Sequence, residues 1–250
     1  MRILGIESSS LVASAAVVEN EVTLAEYTVN YKKTHSQTLL PMIDEMMRLL
    51  DMEPSAVDAI AVSGGPGSFT GLRIGSATAK GLGLALKKPL IHVPTLDAMA
   101  YGLFGASGLI CPMMDARRQQ VYTGIYRFEE RFEIVMEQSA LAVADLAERL
   151  NALGERVIFL GDGVPVYEKQ LAETLTVPYC FAPAHVNRQR AASVAALGAV
   201  YFAEGKTETA AEHKPDYLRK SQAEREREEK EREGKRREFT LDKMKSVTFR

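Results

Sequence analysis

The sequence predicts an α/β protein of two related lobes, each a mixed sheet covered by helices. The first observation is a repeat in the order of elements. Strand–acid, strand, strand, helix, strand, glycine turn, helix, strand, helix can be read twice along the 250 residues. The second is that the opening strand of each half ends in an acid, at Glu7 and at Asp115. The third is that the strand after each half's first helix runs into glycines, Gly64, Gly65 and Gly67 in one half and Gly161 and Gly163 in the other. A three-stranded meander followed by βα units implies a mixed sheet in each half, covered by helices. The lobes are expected at 1–105 and 106–219, with a cleft between them and a charged tail at 220–250.

Each element has a local reason. Arg2 to Ser8 is a short apolar strand, and Ala13 to Val18 and Val22 to Val29 form a hairpin around Glu19-Asn20-Glu21. Thr38 to Leu50 is helical, with Leu39, Leu40, Ile43, Met46, Met47 and Leu50 opposite Asp44, Glu45 and Arg48. Pro41 is tolerated only near a helix start, so this helix should begin around Gln37 or kink there. Ala59 to Val62 is a buried strand, 71–86 a helix, Leu90 to Val93 a strand, and Thr95 caps a helix running to Phe104. In the second half, Leu109 to Asp115, then Val121 to Tyr126 with Phe132 to Gln138, then Val143 to Leu153, repeat the order. Val157 to Leu160 leads into Gly161-Asp162-Gly163, and the half closes with Arg190 to Ala203.

The stretch Ser63 to Gly75, SGGPGSFTGLRIG, organises the first half. Its glycines let backbone approach another object closely, Pro66 fixes a φ angle, and Ser68 or Thr70 can cap the helix. A tight βα turn and a phosphate-facing loop both fit. No Gly-Lys-Ser/Thr closes it as a Walker loop, and no Gly-x-Ser-x-Gly makes it a nucleophile elbow.

A net charge of −2 and a pI near 6.2 give no overall basic surface for nucleic acid. Cys111 and Cys180 match no CxxC pattern and read as buried thiols of a reducing compartment. The N-terminal apolar run is too short for a signal peptide, and Arg73 and Lys80 interrupt the most apolar helix, so a cytoplasmic protein without membrane spans is expected. Ser221 to Glu238 is almost wholly Glu, Arg and Lys, and is expected as a solvated helix or disorder.

Two strands that end in an acid, each with a hairpin and a glycine-loop helix, resemble the duplicated ribonuclease-H-like fold of the actin-like (ASKHA) ATPases, sugar kinases and heat-shock ATPases. Within it, ILGIESS, HSQTLLPMI, SGGPGSFTGLRIG and PDYLR resemble the TsaB (YeaZ) family over residues 1 to 219. The resemblance implies a non-catalytic dimerisation subunit of the machinery that places a threonylcarbamoyl group on the adenosine beside the anticodon of tRNA. It implies a homodimer when alone, a heterodimer with the catalytic sister TsaD, TsaE in a larger complex, and tRNA met through that complex. ATP and a metal are expected on the partners, with no cofactor on this chain. Glu7 departs from the family, in which Asp is commoner there while Glu is familiar in TsaD; the tail is an extension.

Metal ligation on a helix takes two histidines at HxxxH spacing. His35, His92, His185 and His213 stand apart in sequence, so no metal site is expected. Glu7 and Asp115, with Ser8, Gly64, Gly65 and Gly67, are the vestigial nucleotide-binding candidates; the plainer reading is that the acids end strands and bond nearby N–H groups. No phosphate-gripping Lys stands beside the loop. Arg117-Arg118 could meet an anion but read as solvated. The 71–86 helix is apolar nearly all round, with only Arg73, Lys80 and Lys87 as a polar stripe. Leu72, Gly75, Ser76, Ala79, Gly83 and Leu86 should face its sheet. Partner-binding residues are expected at Ile74, Ala77, Thr78, Gly81, Leu84 and Ala85, joined by Leu39, Met42, Ile43 and Met46 of the preceding helix. A small ATPase or sugar-kinase-like enzyme is the alternative, which ATP turnover would distinguish. A peptidase has no Ser/His/Asp order or zinc motif behind it.

Overall fold

The computed structural model describes residues 1–32 and 34–219; the tail expectation falls outside them. Two five-stranded sheets carry the chain. The first holds β1 (Arg2–Glu7), β2 (Val12–Glu19), β3 (Val22–Asn30), β4 (Ala59–Gly65) and β5 (Leu90–Pro94) in the order β3-β2-β1-β4-β5. The second holds β6 (Leu109–Asp115), β7 (Gln120–Phe128), β8 (Phe132–Ala142), β9 (Val157–Leu160) and β10 (Tyr179–Phe181) in the order β8-β7-β6-β9-β10. In each, the first three strands are antiparallel and the last two parallel to the first. This is the duplicated ribonuclease-H-like fold.

The period-2 pattern of the strands assigns the helices to faces. Leu4, Ile6, Ile60 and Val62 point to a core shared with α1 (His35–Leu49) and α2 (Phe69–Leu86). Ile3, Ala59, Ala61, Ile91 and Val93 point the other way, onto α6 (Ala191–Ala203). On the second sheet, Leu109, Cys111, Met113 and Phe159 meet α4 (Val143–Leu153) and α5 (Val164–Thr174). Ile110, Met114 and Leu160 meet α3 (Thr95–Tyr101).

The sheets part where the sequence repeat does, but their helices are exchanged. The last helix of the second half, α6, lies on the first sheet, and the last helix of the first half, α3, reaches the second sheet while still touching β4, β5 and α6. The 106–219 lobe is therefore corrected: α6 and the segment after it pack with β1–β5, and Met1–Leu218 is one compact unit. Close approach makes the exchange fit. A Cβ on Gly5 would collide with the Ala191 carbonyl, and one on Gly198 would lie 2.6 Å from the Ala61 Cβ. Ala191 N–H donates to Ser14 Oγ (3.1 Å) and Ala192 N–H to Glu26 Oε1 (3.0 Å), so sheet residues cap α6. Arg190 pairs with the same Glu26 carboxylate. Asp97 of α3, 3% exposed, accepts from Tyr126 of β7 (2.7 Å) and Tyr201 of α6 (3.4 Å).

Three local expectations are corrected. α1 starts at His35, so Pro41 lies inside it rather than in its first turn. α3 stops at Tyr101 and is preceded by Pro94; Thr95 does not cap it but accepts from Gly65 N–H (3.2 Å). Cys111 is buried, its thiol pushed up to about 12 by burial, whereas Cys180 is only partly covered. Among the described residues no helix is long and apolar enough to cross a membrane.

Candidate functional site

The glycine loop is packed by the chain's own backbone. Gly65 has φ +120°, a region side chains rarely enter, and a Cβ there would collide with the Asp216 carbonyl. A Cβ on Gly64 would strike the His92 ring, one on Gly67 the Ser9 carbonyl, and one on Gly71 the Ser8 carbonyl. Ser68 N–H donates to Ser9 O (2.6 Å), Asp216 N–H to Gly64 O (2.6 Å), and Ser8 Oγ to Gly71 O (2.9 Å). Ser68, rather than Thr70, caps α2 by accepting from Gly71 N–H (3.4 Å). The loop thus holds the β1 exit on one side and the chain's last described segment on the other. The room left by the missing side chains of the candidates Gly64, Gly65 and Gly67 is filled by protein.

Glu7 and Asp115 behave as strand ends. Glu7 is buried, accepts from Ser9 N–H (2.6 Å), and burial raises its pKa. Asp115 accepts from Arg117 N–H (2.8 Å) and Tyr167 Oη–H (3.3 Å). Ser8 is fully buried beneath α2. Arg117, Arg118 and Gln119 all have positive φ, and the Arg117 side chain is exposed. His35 begins α1 and its Nε2 lies 2.7 Å from Ser10 O.

α2 has three faces. Gly71, Leu72, Gly75, Ser76, Ala79 and Gly83 are buried toward the sheet, as expected, while Leu86 is partly covered. The polar stripe receives the segment after α6. Arg73 lies over the Phe69 and Tyr217 rings, which stack with centroids 4.1 Å apart, and Lys80 donates to the carbonyls of Ala211 (3.4 Å) and His213 (3.1 Å). The third face is open. Ala77, Gly81, Leu84 and Ala85 are exposed, Thr78 is half-buried, and Leu84 shows 66% of its surface. A Cβ added at Gly81 would meet nothing within 4 Å.

The contribution expected from α1 is corrected. Leu39, Met42, Ile43 and Met46 are buried in the protomer's own core, which also takes part of Ile74. The apolar arc of α1 is wide because β2, β3 and α2 all pack on it. Its exposed apolar residues are Leu40 and Leu49.

Folding also joins two histidines that sequence spacing keeps apart. Glu208 forms an isolated bridge with Leu90, two N–H···O bonds of 2.9 Å, and this brings His213 to His92 of β5. Their ring centroids lie 5.7 Å apart. Burial lowers the pKa of His213, whose Nδ1 is 2.5 Å from Glu208 Oε1.

Known proteins resemble the chain along most of its length. The family model described as TsaD, tRNA N6-adenosine threonylcarbamoyltransferase, matches residues 22–227. The tRNA threonylcarbamoyladenosine biosynthesis protein TsaB of Bacillus subtilis (strain 168) is 33% identical over 228 residues, 90% of this chain and 96% of that protein. TsaB of Escherichia coli (strain K12) is 29% identical over 227 residues, 89% of this chain and 96% of that one. YeaZ from Pseudomonas aeruginosa has a similar structure, with TM-score 0.75 at 27% identity, covering 87% of this chain and 99% of that chain.

Proposed function

The chain belongs to the TsaB family, and on that premise we propose that it serves tRNA threonylcarbamoyladenosine biosynthesis as a non-catalytic dimerisation and scaffold subunit. It binds the TsaD sister through the open face of α2, a TsaE-type ATPase joins the complex, and tRNA is met through the assembly. ATP and the catalytic metal belong to the partners.

The observation that carries this reading is the exposed row Ala77, Gly81, Leu84 and Ala85. Small residues on an open helix face let a second helix approach closely, and Leu84 gives that approach an apolar anchor. A sister of the same fold presents an equivalent helix, and so does a second copy of this chain, which makes a two-fold homodimer the state of the isolated protein. The packed glycine loop supports the absence of nucleotide chemistry, since backbone of Ser9 and Asp216 occupies the places beside Gly67 and Gly65.

Two measurements test this. The purified chain should show no metal-dependent ATP hydrolysis and no threonylcarbamoyl transfer alone; a steady ATPase rate that vanishes in Glu7→Ala overturns the scaffold reading. Ala77→Trp should give a folded protein, by circular dichroism, that no longer associates with itself or with a TsaD-type partner on size exclusion. Undiminished association at low micromolar concentration would move the interface elsewhere.

A further inference from the structure

Beside the glycine loop, three side chains from distant parts of the chain converge on one point. One donor atom from each of His92, Glu208 and His213 lies within 4.8 Å of the other two. His213 is 1% exposed, and its Nε2 is buried with no hydrogen-bond partner among the described residues. His92 Nε2 is buried as well. Asp216 Oδ2 comes within 3.2 Å of it without the alignment of a hydrogen bond. Leaving a buried polar nitrogen unpaired costs about 1–3 kcal/mol, and this corner of the fold carries two.

We propose that His92, Glu208 and His213, with Asp216 alongside, form a binding site for a zinc-class divalent cation that clasps the 207–216 segment to β5. The donor set selects the ion. Two imidazoles and a carboxylate suit zinc, whereas magnesium and calcium take oxygen ligands throughout. Ligands on a tetrahedral zinc stand roughly 3.3 Å apart for bonds of about 2 Å, and the three donor atoms already lie within 4.8 Å of one another. Glu208 and Asp216 bring negative charge against Lys80, which reaches the His213 carbonyl. Lys206 on the rim is paired with Glu204 at 2.7 Å. A cavity of about 370 Å³, lined by His92, Pro94, Tyr201, Lys206, Thr207 and Glu208, gives an ion its way in.

The placement makes the site structural. Its ligands come from β5 and from the segment after α6, the same segment that fills the glycine loop at Gly65 and holds the polar stripe of α2. Metal bound here fastens that segment, and the segment buttresses the helix that carries the open face.

The test uses the full chain, without a histidine tag and stripped with a chelator. Zinc titrated by calorimetry should bind at one equivalent and raise the melting temperature, and cobalt should give the strong visible absorption of a tetrahedral nitrogen–oxygen site. His92→Asn and Glu208→Gln should each weaken zinc by about tenfold or more, while Cys180→Ser and His185→Ala bind as the parent does. Binding well below one equivalent, or binding that survives His92→Asn combined with Glu208→Gln, overturns the proposal. Should those variants fail to fold, the parent's cobalt spectrum decides: a tetrahedral nitrogen–oxygen spectrum upholds the site, and a six-coordinate or thiolate spectrum overturns it.

Discussion

Replacing Gly81 by leucine separates folding from assembly, because the two respond with opposite signs. Gly81 is in the interior of the 18-residue helix α2, it is exposed, and a Cβ there meets nothing within 4 Å. Within the protomer the leucine collides with nothing and removes a helix-interior glycine, which should stabilise by about 0.8 kcal/mol. For a domain of this size that raises the melting temperature by roughly 2–3 °C. At an interface of closely approaching helices the same side chain is overpacking, at about 1–3 kcal/mol, which weakens association by about 5- to 150-fold. Gly83 supplies the control. It faces inward, where a Cβ would lie 2.9 Å from Leu90 Cδ2 and 3.2 Å from Lys88 O, so Gly83→Leu should lower the melting temperature. Differential scanning calorimetry reads the first quantity, and sedimentation or calorimetric titration with a TsaD-type partner reads the second. If Gly81→Leu melts below the parent, the face is not open; if it melts higher and binds undiminished, α2 is not the interface.

Three further outcomes follow from the packing. Gly71→Ala should be strongly destabilising, by about 3 kcal/mol or more in urea unfolding, because its Cβ collides with the Ser8 carbonyl and backbone cannot swing away as a side-chain end can. Asp97 titrates at about 6 in the folded protein, raised first by burial, against 3.8 for an ordinary aspartate. The folded state then holds the extra proton between those values, so stability should fall as pH rises from about 4 to 6, by on the order of 3 kcal/mol at most; Asp97→Asn should flatten that part of the curve, and an unchanged slope would assign it to other groups. Tyr217→Ala removes the stack on Phe69 and the Arg73 contact, and should cost about 1 kcal/mol and speed amide exchange around 213–218; unaltered exchange there would show that the stack does not hold the segment.

The strands and the mixed character of each sheet were legible because apolar runs with period 2, bounded by turns, leave few topologies for a repeated β-β-β-α-β-α-β-α chain. The inward face of α2 was legible from its 3.6 period, and its cap only as a choice between Ser68 and Thr70. The outward face of α1 was not. A period shows how wide an apolar arc is but not how many elements cover it, and Leu39, Met42, Ile43 and Met46 are used up by the protomer's own sheet and α2. The meaning of the glycine loop was hidden for a related reason. Glycines announce that something comes close, and only the fold shows that Ser9 and Asp216 do. Asp97 with its two tyrosines, and His92 with His213, are joined across 29, 104 and about 120 residues, a range over which spacing carries no information.

The exchange of α3 and α6 bears on how the protein is made. β1 is synthesised about 190 residues ahead of the helix that covers its Ile3 and Gly5. At roughly 5–20 residues per second this is a wait of about 10–40 s, during which one apolar face of the nascent first sheet has no lid. The first half cannot mature as an independent unit, and expressed as 1–105 it should be captured by chaperones or aggregate. Supplying residues 106–219 in trans should rescue it, since the missing piece is a helix and not a linkage. A gene for this protein cannot be split between its two sheets without each half losing a wall of its own core.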